Sequence, residues 1–303
     1  MRFIVPSVLS LHKNYDRTVK FFDQFREVAL NRKGGIHLDF SSLKEVCPRA
    51  ALVLAAEVDR WRRDKRIKPR LKNVNHWVPE IYWLLEQMGM FDLVEATNRP
   101  TIKRGDPDTI FIRFRSGSEV EGGKSRELAE EIEAIVGVKL QSRAFLYRGL
   151  TEAMTNVGHH AYPKGADYQF PVLEGQWWMF ASFQKRTRRL TVAFYDQGIG
   201  IPNTLPRLHT MEVVRGILDR LGLGADDASL IQAATAVGRS RTNLSHRGKG
   251  LKDMKLYTEL TQDGKLRILS GKGEYVYHSD RTEERVTHRV DLGGTLIMWA
   301  ATV

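Results

Sequence analysis

An apolar strand pattern, Leu190–Tyr195, runs without a break into Asp196-Gln197-Gly198-Ile199-Gly200-Ile201-Pro202. An acidic residue at a strand end followed by two glycines two apart limits what can sit there. A carboxylate only accepts hydrogen bonds, so Asp196 suits an exocyclic amine, which adenine carries where guanine has a carbonyl. Gly198 and Gly200, lacking Cβ, let the backbone pass close to a flat ring or a ribose. The same residues also serve as an ordinary tight turn, and the motif alone leaves both readings open.

Upstream, Gln141–Ala161 reads as a helix carrying Glu152 and Asn156. A gap of four residues puts both on one helix face. The carboxamide oxygen of Asn156 suits a hard cation such as Mg²⁺, and Glu152 can polarise a water beside a phosphate. The alternative is a surface helix with both side chains in water.

Downstream, His246–Met254 (HRGKGLKDM) places Gly248 and Gly250 before a predicted helix, Leu251–Leu260. A glycine-rich turn feeding a helix start offers free N–H donors to phosphate oxygens, and Arg247 and Lys249 add positive charge there. A flexible basic loop is the plainer reading. Gly293-Gly294-Thr295 opens a last apolar strand, Thr295–Ala301, and says little by itself.

The rest bounds the class. The 303 residues suffice for two domains, and 42% hydrophobic content supports a sizeable core. No apolar run reaches the ~18–20 residues of a membrane helix, and no secretory signal stands out. A lone cysteine, Cys47, excludes an internal disulfide; it reads as a small buried residue in a reducing, cytoplasmic setting. The net charge of +11 favours anionic partners. Part of it lies in Arg60–Lys72, where Trp61 could stack on a base beside a tracked phosphate backbone, or where a solvated helix end and loop simply carry charge.

In chain order, periodicity predicts a strand at Arg2–Pro6, a helix at Tyr15–Asn31, a strand at Gly35–Phe40, a helix at Arg49–Arg63, a short strand at Leu71–Val74 and a helix at Pro79–Met88. This alternation makes residues 1–100 a small α/β domain. Residues 101–303 form the second unit. It has a strand at Thr109–Arg115, a helix at Ser125–Val136 with Ser125 as N-cap, strands at Trp177–Gln184 and Leu190–Tyr195, and helices near Thr210–Leu221 and Asp226–Val237.

Two family resemblances follow. The strand IHLDFSSLKEV, the helix ALVLAAEV and the later LLEQMGMFDLV resemble the STAS domains of anti-sigma-factor antagonists. That family's phosphorylated turn reads Asp-Ser-Ser-Gly; here Cys47-Pro48-Arg49-Ala50 offers no hydroxyl, so the resemblance implies docking without phosphorylation at that turn. Glu-x-x-x-Asn, Asp-x-Gly-x-Gly, Gly-x-Gly-Leu and Gly-Thr, in that order, resemble the GHKL ATPases over more than half of the chain.

That resemblance implies a Bergerat-type ATP-binding fold, a two-layer α/β sandwich on a mixed sheet, with ATP and Mg²⁺ as cofactors. Glu152 would orient or activate the nucleophile, and Asn156 would hold Mg²⁺. Asp196 would bind the adenine amine, with Thr295 assisting through water. Gly198, Gly200 and Ile201 would line the base. Gly248 and Gly250 would belong to a mobile lid across roughly Pro202–Gly250, Arg247, Lys249 and Leu251 would bind the nucleotide beside them, and Gly238-Arg239-Ser240-Arg241 would also reach the phosphates. NVGHHA is most similar to the anti-sigma kinase subgroup, where a cation often stands at the position of His159. His160 is expected to pack or hydrogen-bond beside the sheet rather than touch nucleotide.

Three functions then compete. The first is a regulatory ATPase, cytoplasmic and Mg²⁺-dependent, whose nucleotide state orders a lid and switches a protein partner or an ATP-dependent homodimer. The second is a protein kinase acting on a separate protein. None of the nine histidines is followed by Glu or Asp, so histidine autophosphorylation is not expected. The third is a non-hydrolysing binding module, or a nucleic-acid adaptor.

Overall fold

A computed structural model describes residues 2–31, 34–64, 67–97, 99–100, 108–118, 122–140, 143–237 and 250–303. The N-terminal part holds strands β1 (Arg2–Ile4), β2 (Val8–Leu9), β3 (Gly34–Asp39), β4 (Glu45–Val46) and β5 (Ile67–Lys72), and helices α1 (Tyr15–Asn31), α2 (Pro48–Arg63), α3 (Pro79–Gln87) and α4 (Met90–Leu93). Strands β1, β3 and β5 pair in parallel in that order, and β2 pairs with β4.

The start of α2 follows from its sequence. Cys47 is extended, its Sγ accepts from the Ala50 N–H at 3.4 Å, and Pro48 supplies a first helical residue that needs no donor. Cys47 is only partly buried, so its capping role replaces the expected role of core filler. Every residue of α2 from Ala50 to Trp61 is buried, which requires packing partners on all sides. Trp61 has no exposed surface and cannot stack on a base.

The C-terminal part continues with β6 (Thr109–Gly117), α5 (Gly122–Val136), α6 (Arg143–Asn156), β7 (Trp177–Gln184) and β8 (Arg189–Asp196). Helices α7 (Ile201–Leu208), α8 (Met211–Leu221), α9 (Asp227–Val237) and α10 (Gly250–Glu259) follow. Strands β9 (Gln262–Ser270), β10 (Gly273–His278), β11 (Glu283–Thr287) and β12 (Thr295–Thr302) close the chain. Seven strands form one sheet in the order β11-β10-β9-β12-β8-β7-β6. Every described pairing in it is antiparallel. The expected mixed sheet is therefore corrected: parallel pairing is confined to the N-terminal strands.

Strand alternation gives this sheet two buried faces. Met179 and Ala181 of β7, Val192 and Phe194 of β8, and Ile297 and Trp299 of β12 share a core with Leu146, Leu150 and Met154 of α6 and Met254 of α10. Trp178, Phe180, Ala193, Tyr195 and Leu296 point the other way, into a core shared with Phe22 and Phe25 of α1 and with α2. Two layers were expected; the N-terminal part adds a third by covering the second sheet face. Helices α7, α8 and α9 have a small core of their own around Leu205, Val214, Ile217 and Ala233. Among the described residues no helix is long and apolar enough to cross a membrane.

Ser125 was expected to cap a helix. It lies inside α5, fully buried, its hydroxyl directed at the Met154 sulfur at 3.4 Å. The strand expected at Leu71–Val74 starts earlier, at Ile67; Val74 begins a short 3₁₀ turn.

Candidate functional site

Helix α6 ends at Asn156 and passes into a wider π-helical turn, Val157–Ala161. Such turns often occur at functional sites. Its last carbonyl, on Ala161, accepts from the Ile199 N–H at 2.9 Å, which ties the helix end to the Asp-x-Gly-x-Gly turn. Gly198 is required there: a Cβ would stand 2.3 Å from the Ala161 oxygen.

Asp196 ends β8 and pairs with Thr295 of β12 and Trp177 of β7. Its Oδ1 accepts from the Gly198 N–H at 2.9 Å. Burial pushes its carboxyl up to about 7, opposed by hydrogen bonds from the backbone of Gly198 and Thr295. Among the described residues no cation forms an ion pair with it. A buried carboxylate without a cation keeps acceptor capacity for a ligand.

Gly200 follows at φ +81°, and a Cβ there would meet the Ser270 hydroxyl at 2.9 Å. That hydroxyl accepts from the Ile201 N–H at 2.8 Å and lies 3.0 Å from the Thr295 hydroxyl. Ser270 thus joins the first turn of α7 to the strand end carrying Thr295. Sequence reasoning missed Ser270, because residues 262–290 offered no motif.

A cavity of about 190 Å³ lies where these pieces meet. It is larger than an engineered cavity of about 150 Å³ that admits benzene. Glu152, Asn156, Asp196, Gly200, Ile201, Leu251 and Thr295 all line it, although they come from α6, β8, α7, α10 and β12. Leu205 and Leu208 of α7 and Ala234 of α9 supply apolar wall, so the lining is apolar with a few polar groups set into it, as in ligand sites generally.

One expectation needs correction: Gly198 does not line this cavity; it borders a neighbouring cleft. His160 borders the cavity, while His159 is exposed. Arg247, Gly248, Lys249 and the Gly238–Arg241 segment lie outside the described residues, and Gly250 begins α10.

Glu152 is half-buried, and its carboxyl is raised above the usual range by burial and then by the nearby Asp253 of α10. That direction suits a general base. Asp253 is a second residue that sequence reasoning missed; it sits three residues past Gly250 and reaches Glu152 only through the packing of α10 on α6.

The donor set fits a magnesium nucleotide in one limited sense. Among the described residues no cluster of three or more His, Cys, Asp or Glu could hold a metal. Mg²⁺ usually keeps waters and phosphate oxygens and takes one or two protein oxygens, a demand the Asn156 carboxamide can meet.

Compared with family models and with curated proteins, the chain finds no match in either set.

Proposed function

We propose that the chain is a Mg²⁺-dependent, ATP-binding regulatory ATPase of the GHKL type. One observation carries the reading: Glu152, Asn156, Asp196, Gly200 and Thr295, spread over more than 140 residues of sequence, line a single cavity. Asp196 accepts the adenine amine, and Thr295 supports it. Asn156 offers its carboxamide oxygen to Mg²⁺, which when bound neutralises charge on the phosphates. Glu152 takes a proton from the attacking hydroxyl or water. Helices α7 to α9 act as the lid. The N-terminal part, packed on the sheet directly behind Asp196, reads out the nucleotide state to a protein partner. A cytoplasmic setting belongs to the same reading.

Phosphate release from ATP by the full chain, with Glu152→Ala as control, is the test. Turnover without any other protein, lost in the variant, supports the ATPase. Transfer of the γ-phosphate to a co-purified protein instead makes the chain an anti-sigma-type kinase using the same Glu152. ATP binding without either outcome leaves a binding module, and absence of binding removes the proposal.

A further inference from the structure

Strands β1, β3 and β5 form an all-parallel sheet with one covered face. Phe3 packs on Phe21 and Phe25 of α1, and Ile36, Leu38 and Ile67 are buried on the same side. All-parallel sheets are as a rule covered on both faces. Here the second face is open. Arg2, Ile4, Lys68, Arg70 and Lys72 are exposed on it, and Gly35, opposite Lys68, sets no side chain there.

Strand register brings the groups on this face together. Arg2 of β1 pairs with His37 of β3, and His37 pairs with Arg70 of β5. Neighbouring strands lie about 4.8 Å apart, so two guanidiniums flank one imidazole in a single row. Partial burial holds the His37 ring below its ordinary range, and the charges of Lys72 and Arg70 lower it further. His37 is therefore a flat, mainly neutral ring near pH 7.

Along β5, Lys68, Arg70 and Lys72 recur at every second residue, about 6.6 Å apart on one side. Among the described residues none of these three side chains has an acidic partner. The carboxylate on this face, Asp39, is fully buried and already taken by Arg2, by Asn73 Nδ2 at 2.7 Å and by the Ser41 N–H at 3.0 Å. At the β1 edge the face runs, through Ile4, into a cleft of about 450 Å³ whose charged lining residues are Arg17 and Lys20 of α1. The basic run Arg60–Lys72 thus divides in two. Arg60, Arg62 and Arg63 are engaged by Glu57 and Asp59 within α2, while the strand half faces outward unpaired.

We infer that the open face of this sheet binds single-stranded nucleic acid. Phosphates lie along Lys68 and Lys72. Unpaired bases stack on the row of Arg2, His37 and Arg70, because imidazole rings and guanidinium planes both serve as stacking platforms. A duplex keeps its bases inside and has use only for the cations. An anionic membrane fits less well, since surface binding inserts apolar side chains and Ile4 is the large exposed one on this face. Binding here does not rest on the nucleotide reading.

The test is fluorescence anisotropy of one labelled oligonucleotide sequence, as single-stranded RNA, single-stranded DNA and duplex DNA, titrated with the full chain without ATP over a range of salt. Saturable binding of either single strand, tighter than of the duplex, is expected. Each phosphate contact contributes about −0.7 to the log–log salt slope. Lys68→Ala combined with Lys72→Ala should therefore make the slope shallower by about 1.4. His37→Ala should weaken binding about tenfold with the slope unchanged, a split that loss of charge does not produce. Arg285→Ala, at an exposed cation of β11, is the control and should leave binding as in the parent. All these variants should keep the parent's unfolding midpoint. The inference is overturned if neither single strand binds, if the duplex binds as tightly, or if phosphatidylserine vesicles displace the oligonucleotide. It is equally overturned if the paired lysine substitutions act no more than Arg285→Ala, or if His37→Ala leaves the affinity unchanged. Because no ATP is present, these results stand apart from the phosphate-release assay.

Discussion

The Gln197 side-chain amide donates to the buried carboxylate of Glu57 at 3.0 Å, across 140 residues of sequence. Glu57 also takes Arg26 Nε at 2.9 Å and both Arg26 and Arg60 through their terminal nitrogens. Burial pushes the Glu57 carboxyl up, and the two guanidiniums outweigh it and hold it below its usual range. Arg26 reaches further, donating to the Leu292 carbonyl at 3.0 Å. One carboxylate on α2 therefore fixes the residue after Asp196 and, through Arg26, the loop before Thr295. The N-terminal part thus braces, from the other face of the sheet, the turn and the loop that flank the candidate site.

Removing that carboxylate should be costly. Glu57→Ala leaves Arg26 and Arg60 buried without a counter-charge, and breaking such a pair costs about 3–5 kcal/mol. Urea denaturation should show a loss of unfolding free energy of that size, with both parts of the chain unfolding together because they share one core. Independent unfolding of residues 2–97 would contradict the shared core.

Much of this was legible in the sequence, for a physical reason. Helix α1 lies where its apolar period put it, because one buried face imposes its period on the residues, and strand β7 lies where a short continuous apolar run put it, because both of its faces are buried. Helix α7 was invisible: Pro202 and Pro206 fall within eight residues, and two prolines read as loop. The edge strand β5 was read short at its start because Pro69 interrupts IKPRLK; an edge strand tolerates that residue. Strands β10 and β11 hid behind charge, since Glu274, Glu283, Glu284 and Arg285 break any simple alternation. Of the candidate site, the residues with motif spacing were readable. Glu57, Asp253 and Ser270 were not, because each acts through a contact that only the folded chain creates.

Gly294 should tolerate no side chain. Its φ is +132°, and a Cβ there would stand 1.9 Å from the Asp196 carbonyl oxygen. Backbone strain costs about 1–3 kcal/mol and overpacking a similar amount. Gly294→Ala should therefore lose about 3 kcal/mol or more in chemical denaturation and displace the Asp196–Thr295 pair. Gly216→Ala, where a Cβ meets nothing within 4 Å, is the control and should be neutral or slightly stabilising, as Ala is in a helix.

Glu152 should matter for turnover and not for binding. Removing a general base lowers rates about 10²–10⁴-fold, so Glu152→Ala should bind ATP with wild-type affinity and release phosphate slower by that factor. Asp253→Asn removes the carboxylate that helps hold the Glu152 carboxyl up. It should move the acid limb of the pH–rate profile to lower pH while leaving nucleotide affinity in place. An unmoved acid limb would mean that Glu152 is not the titrating group.

Asp196 gives a pH dependence whose sign can be worked out for binding and for folding separately. In the proposed reading the ionised carboxylate accepts the adenine amine, whereas its protonated form would present a competing donor. With the carboxyl pushed up to about 7 by burial, ATP affinity should rise with pH and level off above that value, and should fall up to about tenfold per pH unit below it. Folding runs the other way. The folded chain holds the Asp196 proton where the unfolded chain, near 3.8, has lost it, so this group lowers stability progressively as pH rises from about 4 to about 7. Asp196→Asn removes that ionisation. The variant should lose ATP binding at every pH, gain stability over the parent most at pH 8, and lose that advantage near pH 4. Isothermal titration and urea melts at a few pH values read both effects, and a variant that still bound ATP would remove Asp196 from the base-recognition role.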